Sequence, residues 1–132
     1  MKNFIIVLLL AGNLIAQETI CEKGKVQLLM SANQSEECYK KLKIEKSYKY
    51  RFCDSGVGFL YNEGQSYPER FYFDQNKWNW LVDTLDYTNN ISTTAKMNVD
   101  KDLTHFQYQF VEKTYKGQEL RHYSCEGEFK KD

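Results

Sequence analysis

Two segments of this chain alternate apolar and polar residues, and this alternation constrains the fold more than any other feature. Residues 70–80, RFYFDQNKWNW, hold five aromatic rings around a polar centre. When the segment folds back at Gln75-Asn76, Asp74 lies opposite Lys77, and the large rings collect on one face. A shift of one residue would move every side chain to the opposite face. The pattern therefore predicts an antiparallel β-hairpin, with its apolar face formed by Phe71, Phe73, Trp78 and Trp80.

The C-terminal region predicts a second hairpin independently. A turn centred on Lys116-Gly117 sorts residues 104–129 into an apolar and a polar face, and glycine supplies the positive φ that a tight turn needs. The register pairs Phe110 with Tyr123, Tyr108 with Cys125, Phe106 with Gly127, Thr104 with Phe129, Glu112 with Arg121, and His105 with Glu128.

Shorter segments extend the same pattern. Residues 47–53 alternate aromatic and basic side chains, as expected of a strand with one apolar face. LVDTLDY and TAKMNVD add alternating segments, and Pro68 should precede a strand because proline cannot donate to a ladder. Tyr48, Tyr50 and Phe52 are predicted to form the apolar face of the first of these strands. The later segments are predicted to point five side chains one way: Leu85, Tyr87, Ala95, Met97 and Val99.

The N-terminal part is less regular. KVQLLM, residues 25–30, fits a buried strand or a helical turn. The charge order in SEECYKKLKIEK, acidic before basic, predicts a short helix near residues 35–43. The chain is therefore expected to be mainly β: an antiparallel meander of about six to eight strands forming a barrel or half-barrel, with a short N-terminal helix or irregular segment. This meander resembles lipocalin-like barrels in pattern, but it has no Gly-x-Trp motif near the first strand, so no family is assigned.

The first sixteen residues, MKNFIIVLLLAGNLIA, have the features of an export signal. Lys2 precedes an apolar run, and Ala16 is a small residue suited to cleavage. A membrane-spanning helix needs about 20 apolar residues, and Asn13 and Gln17 interrupt this run too early. We predict a signal peptide at 1–16, a single disulfide-braced β domain at 17–132 with no membrane span, and a secreted or periplasmic location.

Four cysteines, Cys21, Cys38, Cys53 and Cys125, follow the predicted signal. An even number in a small exported domain predicts two disulfides, for which three pairings are possible. Cys21–Cys38 as a local link and Cys53–Cys125 as a long-range link is the preferred arrangement. No C-x-x-C spacing occurs, so neither a zinc knuckle nor a redox centre is indicated.

Charge and motif content argue against several function classes. The 18 Lys and Arg balance 18 Asp and Glu, so no nucleic acid partner is expected. His105 and His122 lie far apart on a polar face, and Asp83 and Asp86 fall on opposite faces of a strand. No catalytic motif is present. We therefore predict no enzymatic activity, no cofactor and no metal site.

The aromatic rings allow two interpretations. Trp78 and Trp80 fit a buried core better than an exposed platform, since large aromatics dominate core energetics. Tyr72 projects from the opposite face and is expected to be exposed. As possible ligand contacts we select Tyr67, Tyr72, Trp78 and Trp80. The sequons at Asn33 and Asn90 matter only if the chain passes through a glycosylating compartment.

Three functions fit these features. The preferred hypothesis is an exported, non-enzymatic binding module for a small apolar ligand, a glycan or a protein, with loops 54–58, 62–69 and 88–94 as contact regions. The second is an inhibitor of an extracellular or periplasmic hydrolase that inserts the loop NEGQSYPER, residues 62–70. The third is an enzyme of unrecognised type.

Overall fold

Antiparallel strands follow one another around a closed barrel in the computed structural model, which describes residues 19–42, 47–62 and 67–132. The predicted signal peptide and residues 63–66 of the predicted contact loop lie outside these ranges. In the described residues there are eight strands and one short helix: β1 Cys21–Met30, α1 Glu36–Leu42, β2 Ser47–Cys53, β3 Val57–Tyr61, β4 Glu69–Asp74, β5 Lys77–Asp86, β6 Ile91–Asp100, β7 His105–Thr114 and β8 Glu119–Lys131.

The barrel closes because β1 pairs with both β2 and β8. Val26 and Leu28 of β1 are buried inside the barrel, which settles residues 25–30 as a strand rather than a helical turn. The predicted mainly β meander is thus confirmed as a closed barrel. Closure pairs the first strand with the last, so neither is left as an open edge.

Both predicted hairpins have the predicted register. In the first, Phe73 pairs with Trp78 and Asp74 with Lys77. Gln75 and Asn76 adopt φ values of 53° and 66°, as a two-residue type I′ turn requires. In the second, Phe110 pairs with Tyr123, Tyr108 with Cys125, Phe106 with Gly127, Glu112 with Arg121, and His105 with Glu128. The side-chain pattern alone therefore identified both pairings.

One end of the barrel is filled by aromatic rings, and we call this end the floor: Phe52, Phe71, Trp78, Phe106 and Phe129. The ring of Phe52 lies 4.8 Å from that of Trp78 and 5.5 Å from that of Phe71, measured between centroids. Trp78 is 7% exposed, so its prediction as a core residue is confirmed. Gly58 makes room for the Phe52 ring, which a Cβ at this position would strike. Phe73, at the edge, is 39% exposed.

The preferred disulfide pairing is wrong. All four cysteines are described, and they form Cys21–Cys53 and Cys38–Cys125. Cys21 faces Cys53 in the β1–β2 ladder, and β1 spans about 30 Å from Cys21 to Met30, which carries Cys21 far from α1. A local link to Cys38 is therefore impossible. The two disulfides indicate an oxidising, extracellular-type environment.

The prediction that Leu85 and Tyr87 point the same way as Ala95, Met97 and Val99 is also wrong. The phase of β5 is set by Trp78 and Trp80, which point inward, so odd-numbered residues of this strand point outward. Beyond Asn79 the β5–β6 ladder continues to Asp86 and Ile91, and both Leu85 and Tyr87 are exposed. The predicted common face of Ala95, Met97 and Val99 on β6 is confirmed, since all three are buried.

Candidate functional site

The end of the barrel opposite the floor is covered by α1, and we call it the mouth. A cavity of about 320 Å³ lies beneath the helix. Its lining is mostly apolar, with a few polar groups: Leu28, Lys41, Leu42, Tyr48, Leu60, Asn62, Glu69, Phe71, Trp80, Met97 and Tyr108. Apolar concave sites with few polar groups are the usual form of small-molecule sites. This cavity is the candidate site.

Helix α1 is fixed over the mouth by three contacts. The Cys38–Cys125 disulfide joins it to the inner face of β8, and Leu42 is buried against the cavity. The Tyr48 hydroxyl donates a hydrogen bond to the Leu42 carbonyl oxygen at 3.1 Å. Burial raises the pKa of Tyr48, so this hydroxyl remains a donor at neutral pH. The sequence predicted a helix at 35–43, and this prediction is confirmed at Glu36–Leu42.

Tyr108, on β7, lines the cavity and carries an unusual polar group, a buried hydroxyl. The residue is 3% exposed, and its hydroxyl has no hydrogen-bond partner among the described residues. Burial, with the neighbouring Tyr123, raises the pKa of Tyr108 to about 12. A buried polar atom without a partner costs about 1–3 kcal/mol. This hydroxyl is therefore a neutral donor that a bound molecule could satisfy.

Four rings follow one another along the mouth, on β5, β7 and β8. The centroids of Trp80 and Tyr108 are 6.3 Å apart, those of Tyr108 and Tyr123 are 6.4 Å apart, and those of Tyr123 and Phe110 are 5.0 Å apart. The guanidinium of Arg121 lies 4.8 Å from the Phe110 centroid. One end of this row is thus already occupied by a cation, while the other end faces the cavity.

Glu69, at the start of β4, lies at the Trp80 end of the row. The Trp80 indole nitrogen donates a hydrogen bond to its Oε2 at 2.6 Å. Both side chains are half-buried and both line the cavity. The indole contact orients the Glu69 carboxylate at the cavity wall.

The structure separates the four selected contact residues. Trp80 lines the cavity, whereas Trp78 belongs to the floor. Tyr72 is exposed, as expected, and accepts a hydrogen bond from Arg70 at 3.3 Å. Tyr67 is 80% exposed. Of the predicted contact loops, 54–58 and 88–94 overlap strands, because β3 begins at Val57 and β6 at Ile91.

Several cavity residues were not selected from the sequence: Leu42, Tyr48, Glu69, Met97 and Tyr108. Tyr108 and Met97 were identified as inward-facing, but alternation cannot distinguish a packed position from a cavity wall. Leu42 lines the cavity because of the position of α1. Glu69 lines it from the start of β4, beyond the end of the β4–β5 ladder at Tyr72 and Asn79. The one sequence signal for the site was Tyr108, a ring with a hydroxyl at a position predicted to lie on the apolar face of its strand.

The histidines and strand carboxylates lie outside the cavity. His105 Nδ1 is 3.6 Å from Asp100, and His122 Nδ1 is 3.7 Å from Glu119, both on the exposed surface. Asp83 accepts a hydrogen bond from Thr94. Within residues 19–42, 47–62 and 67–132, no three His, Cys, Asp or Glu side chains are grouped as a metal site would require. In the same ranges, no helix has the length and apolarity needed to cross a membrane.

Comparison with known proteins gives no relative: no family model, no curated protein and no solved structure matches this chain.

Proposed function

We propose that this protein is an exported, non-enzymatic binding protein that holds a small, largely apolar ligand in the mouth of its barrel. The support is the combination of an apolar cavity, a helix tied over it by a disulfide, and a few polar groups on its wall. A pre-formed site of this kind loses little conformational entropy when a ligand binds.

The observation that carries the proposal is the Tyr108 hydroxyl. It is buried, it has no partner among the described residues, and its residue lines the cavity. A purely structural core position would favour phenylalanine, because burying an unsatisfied hydroxyl destabilises the fold. A ligand that accepts a hydrogen bond from this hydroxyl would remove the penalty, and the free energy recovered would contribute to its binding affinity.

The cavity size limits the ligand. Its volume of about 320 Å³ is near the lower end of the range of about 300–1,000 Å³ found for ligand sites. The proposed ligand is therefore compact, with one or two polar groups, rather than a long-chain lipid.

The proposed export rests on two independent features. The first sixteen residues have the charge, apolar run and small terminal residue of a signal peptide, and both disulfides need an oxidising compartment. N-terminal sequencing of the protein recovered from outside the producing cell should begin at or near Gln17. A chain that starts at Met1 and remains with the membranes would contradict this part of the proposal.

The binding proposal can be tested with the neutral fluorescent probe N-phenyl-1-naphthylamine. We expect its fluorescence to rise on titration with the purified protein, because the lining of the cavity is mostly apolar. In Met97→Trp the larger ring should fill the cavity and abolish the rise. Lys96→Trp is the matched control, since Lys96 is the preceding residue of β6 and lies on the outer face.

The outcome depends on the difference between these two variants. Loss of probe binding in Met97→Trp but not in Lys96→Trp, with both retaining the far-ultraviolet spectrum of the parent, supports a site inside the mouth. Equal binding to all three proteins would place the probe on the surface and would contradict the proposal. Native mass spectrometry of the exported protein then identifies any molecule retained from its source.

A further inference from the structure

We infer that the outer wall of the barrel at β1–β4 binds an acidic polysaccharide, a sugar chain that carries sulfate or carboxylate groups. This surface is separate from the mouth, so the inference goes beyond the proposed function. Lys25 of β1 is not part of the argument, because the C-terminal Asp132 lies beside it and donates its backbone N–H to the Lys25 carbonyl oxygen. The inference is carried by four side chains that we call the basic row: Lys23 of β1, Arg51 of β2, Phe59 of β3 and Arg70 of β4.

The strand registers place the four side chains of the basic row next to one another. Lys23 pairs with Arg51, Arg51 pairs with Phe59, and Phe59 pairs with Arg70. Because the neighbouring Phe52 of β2 is buried in the barrel, Arg51 and its lateral partners point outward. The three cations are exposed and Phe59 is half-buried. The row is therefore a continuous basic line across four strands of the outer wall.

Two like charges face each other in the basic row. Lys23 and Arg51 are directly opposite on adjacent strands, an arrangement that destabilises a sheet. In residues 19–42, 47–62 and 67–132, none of the three cations of the row takes part in an ion pair. Over the same part of the chain, the one carboxylate at an outward position of β1–β4 is Asp74, which lies opposite Lys77. A bound anion would relieve this repulsion.

Arg70 is held in place by aromatic side chains instead of a carboxylate. Its guanidinium carbon lies 5.5 Å from the centroid of Phe59, and its Nη1 donates a hydrogen bond to the Tyr72 hydroxyl at 3.3 Å. These contacts fix the guanidinium without neutralising its charge. The planar fork of a guanidinium matches the oxygen atoms of an oxyanion. Arg70 is therefore oriented in advance, which reduces the entropy lost when an oxyanion binds.

The shape of the wall favours a chain over a flat surface. The row crosses four of the eight strands, and its side chains fan out because the strands of a closed barrel form a curved wall. A flat membrane would meet few of these cations at once, whereas a flexible polyanion can follow the curve. Single-stranded nucleic acid binds by stacking its bases on open rings, and the Phe59 ring is already covered by Arg70. An acidic polysaccharide fits the row and also the proposed export.

The probe for this surface is a heparin oligosaccharide, with a neutral dextran oligosaccharide of equal length as the control. Affinity is measured by isothermal titration calorimetry at about 0.15 M salt. We expect heparin to bind and dextran not to bind. The affinity for heparin should fall as the salt concentration rises, because a polyanion releases counterions when it meets cations. Met97→Trp, which fills the mouth, should bind heparin as the parent does.

Two sets of substitutions assign the binding to the basic row. The triple variant Lys23→Gln, Arg51→Gln, Arg70→Gln should weaken heparin binding at least about tenfold, because three exposed charge contacts are lost. Arg70→Lys keeps the charge but loses the planar fork, and it should weaken binding less than the triple variant. All substituted side chains are exposed, so each variant should retain the far-ultraviolet spectrum of the parent.

A matched control removes the same net charge from elsewhere. Lys96 of β6, Lys113 of β7 and Lys116 of the following turn are exposed and lie on the other side of the barrel. Replacing all three by glutamine should change the affinity for heparin less than about twofold, because charges farther away than the Debye length of about 8 Å are screened.

The comparison of the two triple variants decides the inference. A loss confined to the basic-row variant supports it. Equal weakening in both would assign the binding to net charge and would overturn it, as would a failure of the parent to bind heparin. Two competing partners are measured in parallel: oligothymidylate, and phosphatidylcholine vesicles with and without phosphatidylglycerol. If either the oligonucleotide or the anionic vesicles bind more tightly than heparin and lose binding in the basic-row variant, the polysaccharide class is wrong. None of these results alters the test at the mouth, which uses N-phenyl-1-naphthylamine.

Discussion

The floor and the mouth of the barrel are built by the same strands but are filled in different ways. Four of the five floor rings are buried phenylalanines, and the ring of Phe52 contacts those of Phe71 and Phe129. The rings of the mouth are mainly tyrosine and tryptophan, and each of Tyr48, Trp80 and Tyr108 carries a polar atom. The Trp78 indole nitrogen is the one polar side-chain atom among the five floor rings. In the mouth, the Tyr48 hydroxyl donates to the Leu42 carbonyl oxygen and the Trp80 indole nitrogen donates to Glu69, whereas the Tyr108 hydroxyl has no partner among the described residues.

The difference also concerns what closes each end. The floor is closed by the side chains of the strands themselves, and the disulfide at that end, Cys21–Cys53, joins two neighbouring strands. The mouth is closed by α1, an element outside the sheet, which a disulfide ties to β8. The barrel therefore combines a rigid packed end with an end where a cavity is preserved under a fixed cover.

The largest expected effect distinguishes two tryptophans of one strand. Trp78→Ala removes a buried floor ring that lies 4.8 Å from Phe52, and it should lower the free energy of unfolding by about 3–5 kcal/mol. Trp80→Ala, at the half-buried cavity wall, should cost less than about 3 kcal/mol, because part of its surface is already exposed. Urea denaturation measures both. Equal losses would mean that floor and mouth are packed alike.

The second prediction concerns the two disulfides. The Cys38–Cys125 link closes a sequence separation of 87 residues and Cys21–Cys53 one of 32. Replacing either pair by alanine should cost about 2–4 kcal/mol, with the loss about 1 kcal/mol larger for the longer loop. Denaturation of the two double variants tests this order. Loss of Cys38–Cys125 should also abolish probe binding, whereas loss of Cys21–Cys53 should not.

The third prediction is a change of opposite sign at two tyrosines. Tyr50→Phe removes a hydroxyl that donates to Glu22 at 3.1 Å, and it should destabilise the protein by about 1.5 kcal/mol. Tyr108→Phe removes a hydroxyl without a described partner, and it should stabilise the empty protein by about 1 kcal/mol. Thermal denaturation checks both signs. Destabilisation by Tyr108→Phe would reveal a partner for this hydroxyl in the free protein.

The smallest expected effect lies in the β6–β7 turn, at the floor end. Burial raises the pKa of Asp100, but hydrogen bonds from Thr104 and His105 outweigh it and lower the pKa to about 2. Because the folded-state pKa is lowered, the stabilisation is present above about pH 4 and is lost as the pH falls towards 2. It should be below about 1 kcal/mol, since the side chain is 42% exposed.

The Asp100 effect is measured as the difference in unfolding free energy between pH 5 and pH 2, in the parent and in Asp100→Asn. We expect the variant to lose less stability on acidification than the parent does. An identical loss in both proteins would assign the acid sensitivity to other carboxylates. Probe binding at the mouth should be unaffected by the substitution, because Asp100 lies at the opposite end of the barrel.

The sequence was informative wherever a pattern was local. The registers at Phe73–Trp78 and at Tyr108–Cys125 follow from period-two alternation and opposed charges, because a slip of one residue inverts every face. The helix at Glu36–Leu42 follows from its charge order. The assignment of Leu85 and Tyr87 to the same face as Ala95, Met97 and Val99 was wrong, because alternation fixes the two faces of one strand but not how they correspond to the faces of its neighbour. In β5, the inward face is the one that carries Trp78 and Trp80.

The candidate site was predictable only in part. Trp80 was selected as a ligand contact, whereas Tyr108 was placed only on the apolar face of its hairpin. For Glu69 and Leu42, no local sequence pattern indicated a place in the cavity wall. Whether an inward ring packs against others or borders a cavity depends on side chains from distant strands that reach the same layer. The disulfide pairing failed for the same reason, since it depends on where β1 ends relative to α1 and not on the spacing of cysteines.

By itself, the sequence determined that the chain forms an antiparallel β meander with aromatic rings on its inner face, because alternation and turn chemistry are local properties. The tertiary structure alone decided that the meander closes through β1 and β8, that Cys38 bonds Cys125, and that a cavity remains between Tyr108 and α1. These features depend on the distances between segments far apart in the chain, which are fixed only when the whole barrel has closed.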